Sequence, residues 1–104
     1  MILVTGSITA RADCLDDLLA LCLEHVKRSR LEPGCISHAV HRGVENPLKL
    51  VFIEEWEDRE ALIKHFAVPA SAAFVRAARL LADGRPVMHI YDASRIEGQP
   101  FSGK

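Results

Sequence analysis

The stretch Glu32–Arg42, EPGCISHAVHR, places two histidines and an arginine directly after a Pro-Gly pair, and a third histidine, His65, lies beside Leu62 and Phe66 in an apolar segment. An imidazole titrates near neutral pH, so a histidine in apolar surroundings is a natural proton acceptor, and a guanidinium beside it can steady the anion that forms. His38 and Arg42 share one side of an alternating run and make a candidate base with an anion holder; His65, on an inward helical stripe, is the other candidate base. Trp56 offers a flat wall for an aromatic ligand. Spacing disfavours other chemistries. Glu54 and Glu55 are adjacent, so a strand sends them to opposite faces and they cannot act as a carboxylate dyad. The histidines at 25, 38, 41, 65 and 89 contain no tight helical pair, and no preformed metal site is expected. There is no Gly-rich phosphate loop and no nucleophile elbow.

These residues need elements to position them. Ile2–Ala10 is rich in β-branched residues and predicts a first strand, with Gly6 marking a point of close approach or extra room. Asp13 is placed to cap a helix whose stripe, Leu15, Leu18, Leu19, Cys22 and Val26, runs on to about Arg30, where a basic last turn and then Pro33 and Gly34 end it. Cys35–Arg42 alternates as a second strand, with Ile36, His38, Val40 and Arg42 on one face and Cys35, Ser37, Ala39 and His41 on the other. After the turn at Asn46 and Pro47, Leu48–Trp56 returns as its hairpin partner, which brings His38 beside Phe52. Asp58 caps a second helix carrying Ala61, Leu62, His65 and Phe66; Pro69 breaks it, and Phe74, Ala77, Ala78 and Leu81 resume. Asp83, Gly84 and Pro86 turn the chain into a last strand, Val87–Ala93. The expected order is β-α-β-β-α-β, an α+β ferredoxin-like antiparallel sheet with its helices on one face. Residues 1–96 form the domain and 97–104 a flexible tail. Because Leu50 and Phe52 oppose Val51 and Ile53, the third strand is apolar on both sides, and a copy of the same sheet is the simplest cover for the second face.

Composition bounds the class. At 104 residues, 49% apolar and 26% charged, the chain makes one ordinary globular core. A net charge of -1 gives no footprint for nucleic acid or an anionic membrane, and neither partner is expected. The start, MILVTGSITARAD, has no signal-peptide pattern, and no apolar run is long enough to span a bilayer, so the expected location is the cytoplasm. Cys14, Cys22 and Cys35 are an odd set without redox or ligand spacing and read as reduced, buried fillers.

The pattern resembles the antibiotic biosynthesis monooxygenase family of dimeric α+β barrel proteins. The resemblance rests on Glu32, Pro33, Gly34 and Cys35 opening the second strand, on Glu55, Trp56 and Glu57 closing the third, and on Ala61, Leu62, His65 and Pro69 in the broken helix, with Phe74 beyond. It implies a homodimer with a pocket between each sheet and its helices, and oxygenation of quinol-like aromatics without metal, flavin or haem. Within it, His65 and His38 are the catalytic candidates, and Trp56, Phe52, Phe66, Phe74 and Arg42 the substrate-binding ones. Ala70, Phe52 and His38 stand where family members carry histidine, asparagine and tyrosine; the loss of polar positions at Ala70 and Phe52 motivates a second class, a non-catalytic dimeric module that binds a small hydrophobic or aromatic molecule, and the resemblance to this fold also implies a third, an isomerase of a small dicarbonyl or phosphorylated metabolite. The haem-degrading branch is disfavoured by His65 and Val75, which occupy its tryptophan and histidine positions.

Overall fold

A computed structural model describes residues 1–98, so residues 99–104, most of the expected tail, lie outside the described residues. In chain order the elements are β1 (Ile2–Thr9), α1 (Leu15–Ser29), β2 (Cys35–Arg42), β3 (Lys49–Trp56), α2 (Arg59–Ala67), α3 (Pro69–Leu81) and β4 (Val87–Asp92). They build one antiparallel sheet in the order β2-β3-β1-β4. This is the ferredoxin-like α+β arrangement, with its second helix divided in two. The division has a local cause: Val68 is extended, with ψ 125°, as a residue before proline prefers, and Pro69 then starts α3 at a position where its missing N–H is not needed.

Alternation along β3 sorts the layers. Leu50, Phe52, Glu54 and Trp56 turn inward and are buried, while Ile53 on the outer face is 43% exposed. The inward face carries two apolar clusters. One joins Ile8, Leu18, Cys22, Val26, Leu50 and Phe52; the other joins Ile2, Val4, Trp56, Ala61 and Leu62. Between them along β3 comes Glu54, opposite Val4 of β1, and next to it Gly6 stands opposite Phe52. A carboxylate and a missing side chain therefore interrupt the core at its middle. Helices cover β2, β3 and β1 but leave β4 bare: all six of its residues are exposed, including Met88 and Ile90 on the helix side.

Two local expectations are corrected. Asp13 does not cap α1; Cys14 occupies that position without a side-chain cap bond, because its buried side chain turns into the core and leaves Asp13 exposed near Arg11. And β2 does not alternate strictly. A bulge at Ile36 makes Cys35 face Trp56 while Ser37 faces Glu55, so Cys35 joins the face of His38, and the exposed Ile36 leaves it. His38 accordingly lies opposite Glu54, and Val40 takes the place opposite Phe52. Asp58, by contrast, caps α2 as expected, its Oδ1 accepting from the Ala61 N–H at 2.8 Å. Among the described residues no helix is long and apolar enough to cross a membrane.

Candidate functional site

Four elements bring titratable side chains to the gap between the two apolar clusters. His25 arrives from the inner stripe of α1, His38 from β2, Glu54 from β3 and His65 from α2; their exposures are 6%, 1%, 5% and 3%. The ring centroids of His25 lie 5.4 Å from those of both His38 and His65, and His38 and His65 are 5.7 Å apart. His38 and His65, candidates from distant parts of the sequence, therefore belong to one cluster. The expectation that no preformed metal site exists rested on spacing along the chain; in the fold, nitrogen atoms of His25, His38 and His65 all lie within 4.8 Å of one another.

Each ring is held differently. The His65 Nδ1 is 2.7 Å from Glu32 Oε1, and since a carboxylate can only accept, that nitrogen carries the hydrogen. Its partner is thus a carboxylate from the turn after α1. The ring also packs on Trp56, with centroids 4.6 Å apart. His25 accepts at Nδ1 from the Arg28 guanidinium, 2.9 Å away, and lies flat on Phe74 at 4.0 Å. Burial above all, then the positive charges that His38, His65 and Arg28 can carry, push its pKa down to about 3 against the opposing pull of Glu54. His25 is therefore neutral at ordinary pH, with its hydrogen on Nε2. His38 lies 3.3 Å from Glu54 Oε1, close enough for attraction but off the line of a hydrogen bond, and neither of its ring nitrogens has a partner. Glu54 also accepts from the Trp56 indole N–H at 3.0 Å. Burial pushes the Glu54 carboxyl up, but the His38 imidazole, the Trp56 N–H and His65 outweigh it, and its pKa falls below the ordinary carboxylate value.

A cavity of about 330 Å³ opens against this cluster. Its apolar wall includes Phe52, Phe66 and Phe74, three of the expected substrate-binding residues, and Gly6 leaves room at its floor, where a Cβ would meet the Val87 carbonyl oxygen at 3.4 Å. The titratable groups reaching it are His25, Glu54 and Arg79. His38, His65 and Trp56 stand one layer behind His25 and Glu54 and do not line it. Arg42 is remote: it is exposed at the end of β2, and its Nε donates to the Pro47 carbonyl oxygen at 2.8 Å. Cys35 is not set up as a nucleophile, since burial and then the carboxylates of Glu32 and Glu54 raise its thiol pKa.

His25, Glu54 and Glu32 were not among the site candidates. Glu54 shares strand parity with Phe52 and Trp56, and His25 follows Leu18 and Cys22 on the inner stripe of α1, so a signal existed for both. Glu32 belongs to the motif that opens β2, but its pairing with His65 carried no local signal, because the contact spans 33 residues.

Comparison with known proteins places this geometry in context. A family model described as "Antibiotic biosynthesis monooxygenase" matches residues 1–77. An uncharacterised protein of Synechocystis is 35% identical over 74 residues, which are 71% of this chain and 50% of that protein; the chain thus spans about half the length of this relative. Among solved structures, a crystal structure of an antibiotic biosynthesis monooxygenase is 28% identical with a TM-score of 0.85, covering 91% of this chain and 100% of that one. A Deinococcus radiodurans protein provisionally named for the same activity shares the fold, with a TM-score of 0.90 at 22% identity over 95% of this chain and 98% of its own.

Proposed function

The chain belongs to the antibiotic biosynthesis monooxygenase family, and from that premise we propose that it oxygenates a quinol or polyphenolic aromatic with O2, using its own side chains and no cofactor, as a homodimer in the cytoplasm. The observation that carries the reading is the cavity itself: an aromatic-walled cleft, near the lower end of the size range of ligand sites, with a buried carboxylate and a neutral imidazole at its inner end. One or two fused rings suit that volume. Three free cysteines accord with a reducing compartment.

The chemistry needs little more than those groups. Removing the proton of an aromatic hydroxyl leaves an electron-rich anion that can pass an electron to O2, and the resulting pair recombines at a ring carbon bearing hydrogen. One oxygen atom stays on that carbon, the ring hydrogen leaves as a proton, and the other oxygen leaves as water. The product is a quinone and no reductant is consumed. In this reading Glu54 takes the hydroxyl proton at the cavity wall and hands it to His38, 3.3 Å away. His65, fixed by Glu32, is the second acceptor behind the wall. His25, neutral and lining the cavity, is the polar group beside the developing anion, and the apolar walls exclude water.

The test is aerobic and anaerobic incubation of the purified protein with a panel of hydroquinones and no added cofactor. Oxygen-dependent quinone formation is expected. A protein that binds the aromatics but converts none of them would instead be the non-catalytic module.

A further inference from the structure

We propose that His25, His38 and His65 form a binding site for one divalent transition-metal ion of the kind that favours imidazole nitrogen, such as Zn2+ or Co2+. The ligand atoms already lie within 4.8 Å of one another on three separate elements. Metal–nitrogen bonds of about 2.0–2.1 Å set tetrahedral nitrogens about 3.3 Å apart, so the rings need to move by on the order of 1 Å. The second, independent sign is His38. The residue is 1% exposed, yet both ring nitrogens lack a hydrogen-bond partner, Nε2 lying 3.3 Å from Glu54 Oε1 off the line of a bond, an arrangement that a folded core tolerates poorly, and one of these nitrogens lies within 4.8 Å of nitrogens of His25 and His65.

The surroundings match an ion as well. Glu32 accepts from His65 Nδ1, which fixes the tautomer whose Nε2 lone pair is free; a carboxylate behind a ligating histidine is the usual outer partner of a metal-bound imidazole. A buried divalent charge needs compensation, and Glu54 and Glu32 supply two carboxylates beside the three rings. His25 must shift its hydrogen from Nε2 to Nδ1 to ligate. Arg28, which now donates to that Nδ1, already also donates to the Ala70 carbonyl oxygen at 3.2 Å and can keep that bond. Of the groups around the cluster, His25 and Glu54 line the cavity, so an ion there would be approached from the ligand side past these two residues. An ion there occupies the lone pair that the proton path uses, so the metal-bound form and the metal-free oxygenase are mutually exclusive states. The inference goes beyond the oxygenase reading and does not depend on it, since the measurement involves no turnover.

The experiment titrates chelator-treated protein with Co2+ up to millimolar concentration and follows the visible bands of nitrogen-ligated cobalt, then competes with Zn2+. A saturable signal at one ion per protomer is expected, displaced by Zn2+. His38→Gln and His65→Gln, checked for fold by circular dichroism, should each weaken binding about 100-fold or more. Glu32→Gln leaves all three ligands in place and should weaken it about 10- to 100-fold, the usual loss for an outer partner. His89→Ala, at an exposed histidine, should leave it unchanged. Absence of a saturable signal in the wild-type protein would overturn the inference, as would a signal that persists in His38→Gln or vanishes in His89→Ala. If either cluster variant fails to fold, the wild-type stoichiometry with Glu32→Gln and His89→Ala still decides the matter.

Discussion

Glu54 meets the cavity and His38 together, and a substitution that keeps its shape separates its chemistry from its packing. Glu54→Gln retains an oxygen to accept from the Trp56 N–H but cannot take a proton, so turnover on a reactive quinol should fall by roughly 10²- to 10⁴-fold with the thermal midpoint little changed. Wild-type turnover in that variant would remove Glu54 from the mechanism. His65→Ala should behave differently. It strips Glu32 of a partner and opens space beside Trp56, so a loss of about 1–3 kcal/mol should accompany the loss of activity. His25 supplies a pH signature in the metal-free protein. Folding holds its pKa at about 3, against 6.5 as an ordinary value, because it is buried and faces His38, His65 and Arg28, with only Glu54 opposing. Between those two values the unfolded chain binds the extra proton, so stability is full above about pH 6.5 and declines as the pH falls, with a slope approaching about 1.4 kcal/mol per pH unit. Urea unfolding at pH 7, 6 and 5 should show the decline, and His25→Phe should flatten it. The individual histidines were visible in the sequence, but their convergence was not, because it depends on where three elements meet rather than on any spacing within one.

The elements were read more easily than their junctions. Cys35–Arg42 and the break at Pro69 followed directly from alternation and from proline's geometry, since both signals are local. The bulge at Ile36 was not legible: it is a property of two paired strands, and Ile36 itself is an ordinary strand residue. The turn before it tolerates little change. Gly34 has φ +83°, and a Cβ there would come within 2.4 Å of the Ala61 Cβ on α2. Gly34→Ala should therefore cost about 2 kcal/mol or more, read as a lower urea midpoint, because both the backbone conformation and the seat of α2 are disturbed. Gly6 is a gentler case, since its Cβ position is tight but open toward the cavity. Gly6→Leu should fill the cleft and abolish binding of an aromatic ligand, measured by calorimetry, while the sheet persists. Retained affinity would move the ligand site elsewhere.

At the scale of the whole molecule, the two-sided character of β3 is resolved by the fold. Phe52 faces the helices, and Val51 and Ile53 face away from them, so the outer sheet surface carries Ile36, Ile53, Val87 and Tyr91, each about half exposed. Apolar area of that kind on a bare sheet favours association with a second copy. Light scattering should give twice the protomer mass, and Ile53→Lys should halve it while circular dichroism stays unchanged; a wild-type protomer that remains single at micromolar concentration would rule the dimer out. The bulge at Ile36 has a last consequence, for the lineage rather than the folded chain. Removing Ile36 itself would restore a regular β2 in which Cys35 still faces Trp56 on the side of His38, so the Glu32 carboxylate would keep its reach to His65. Point substitutions at this exposed position, and even its single-codon deletion, should therefore be tolerated during divergence, so length variation among descendants of this chain should collect at Ile36 and in the Gly43–Leu48 turn and spare the segment from Glu32 to Cys35.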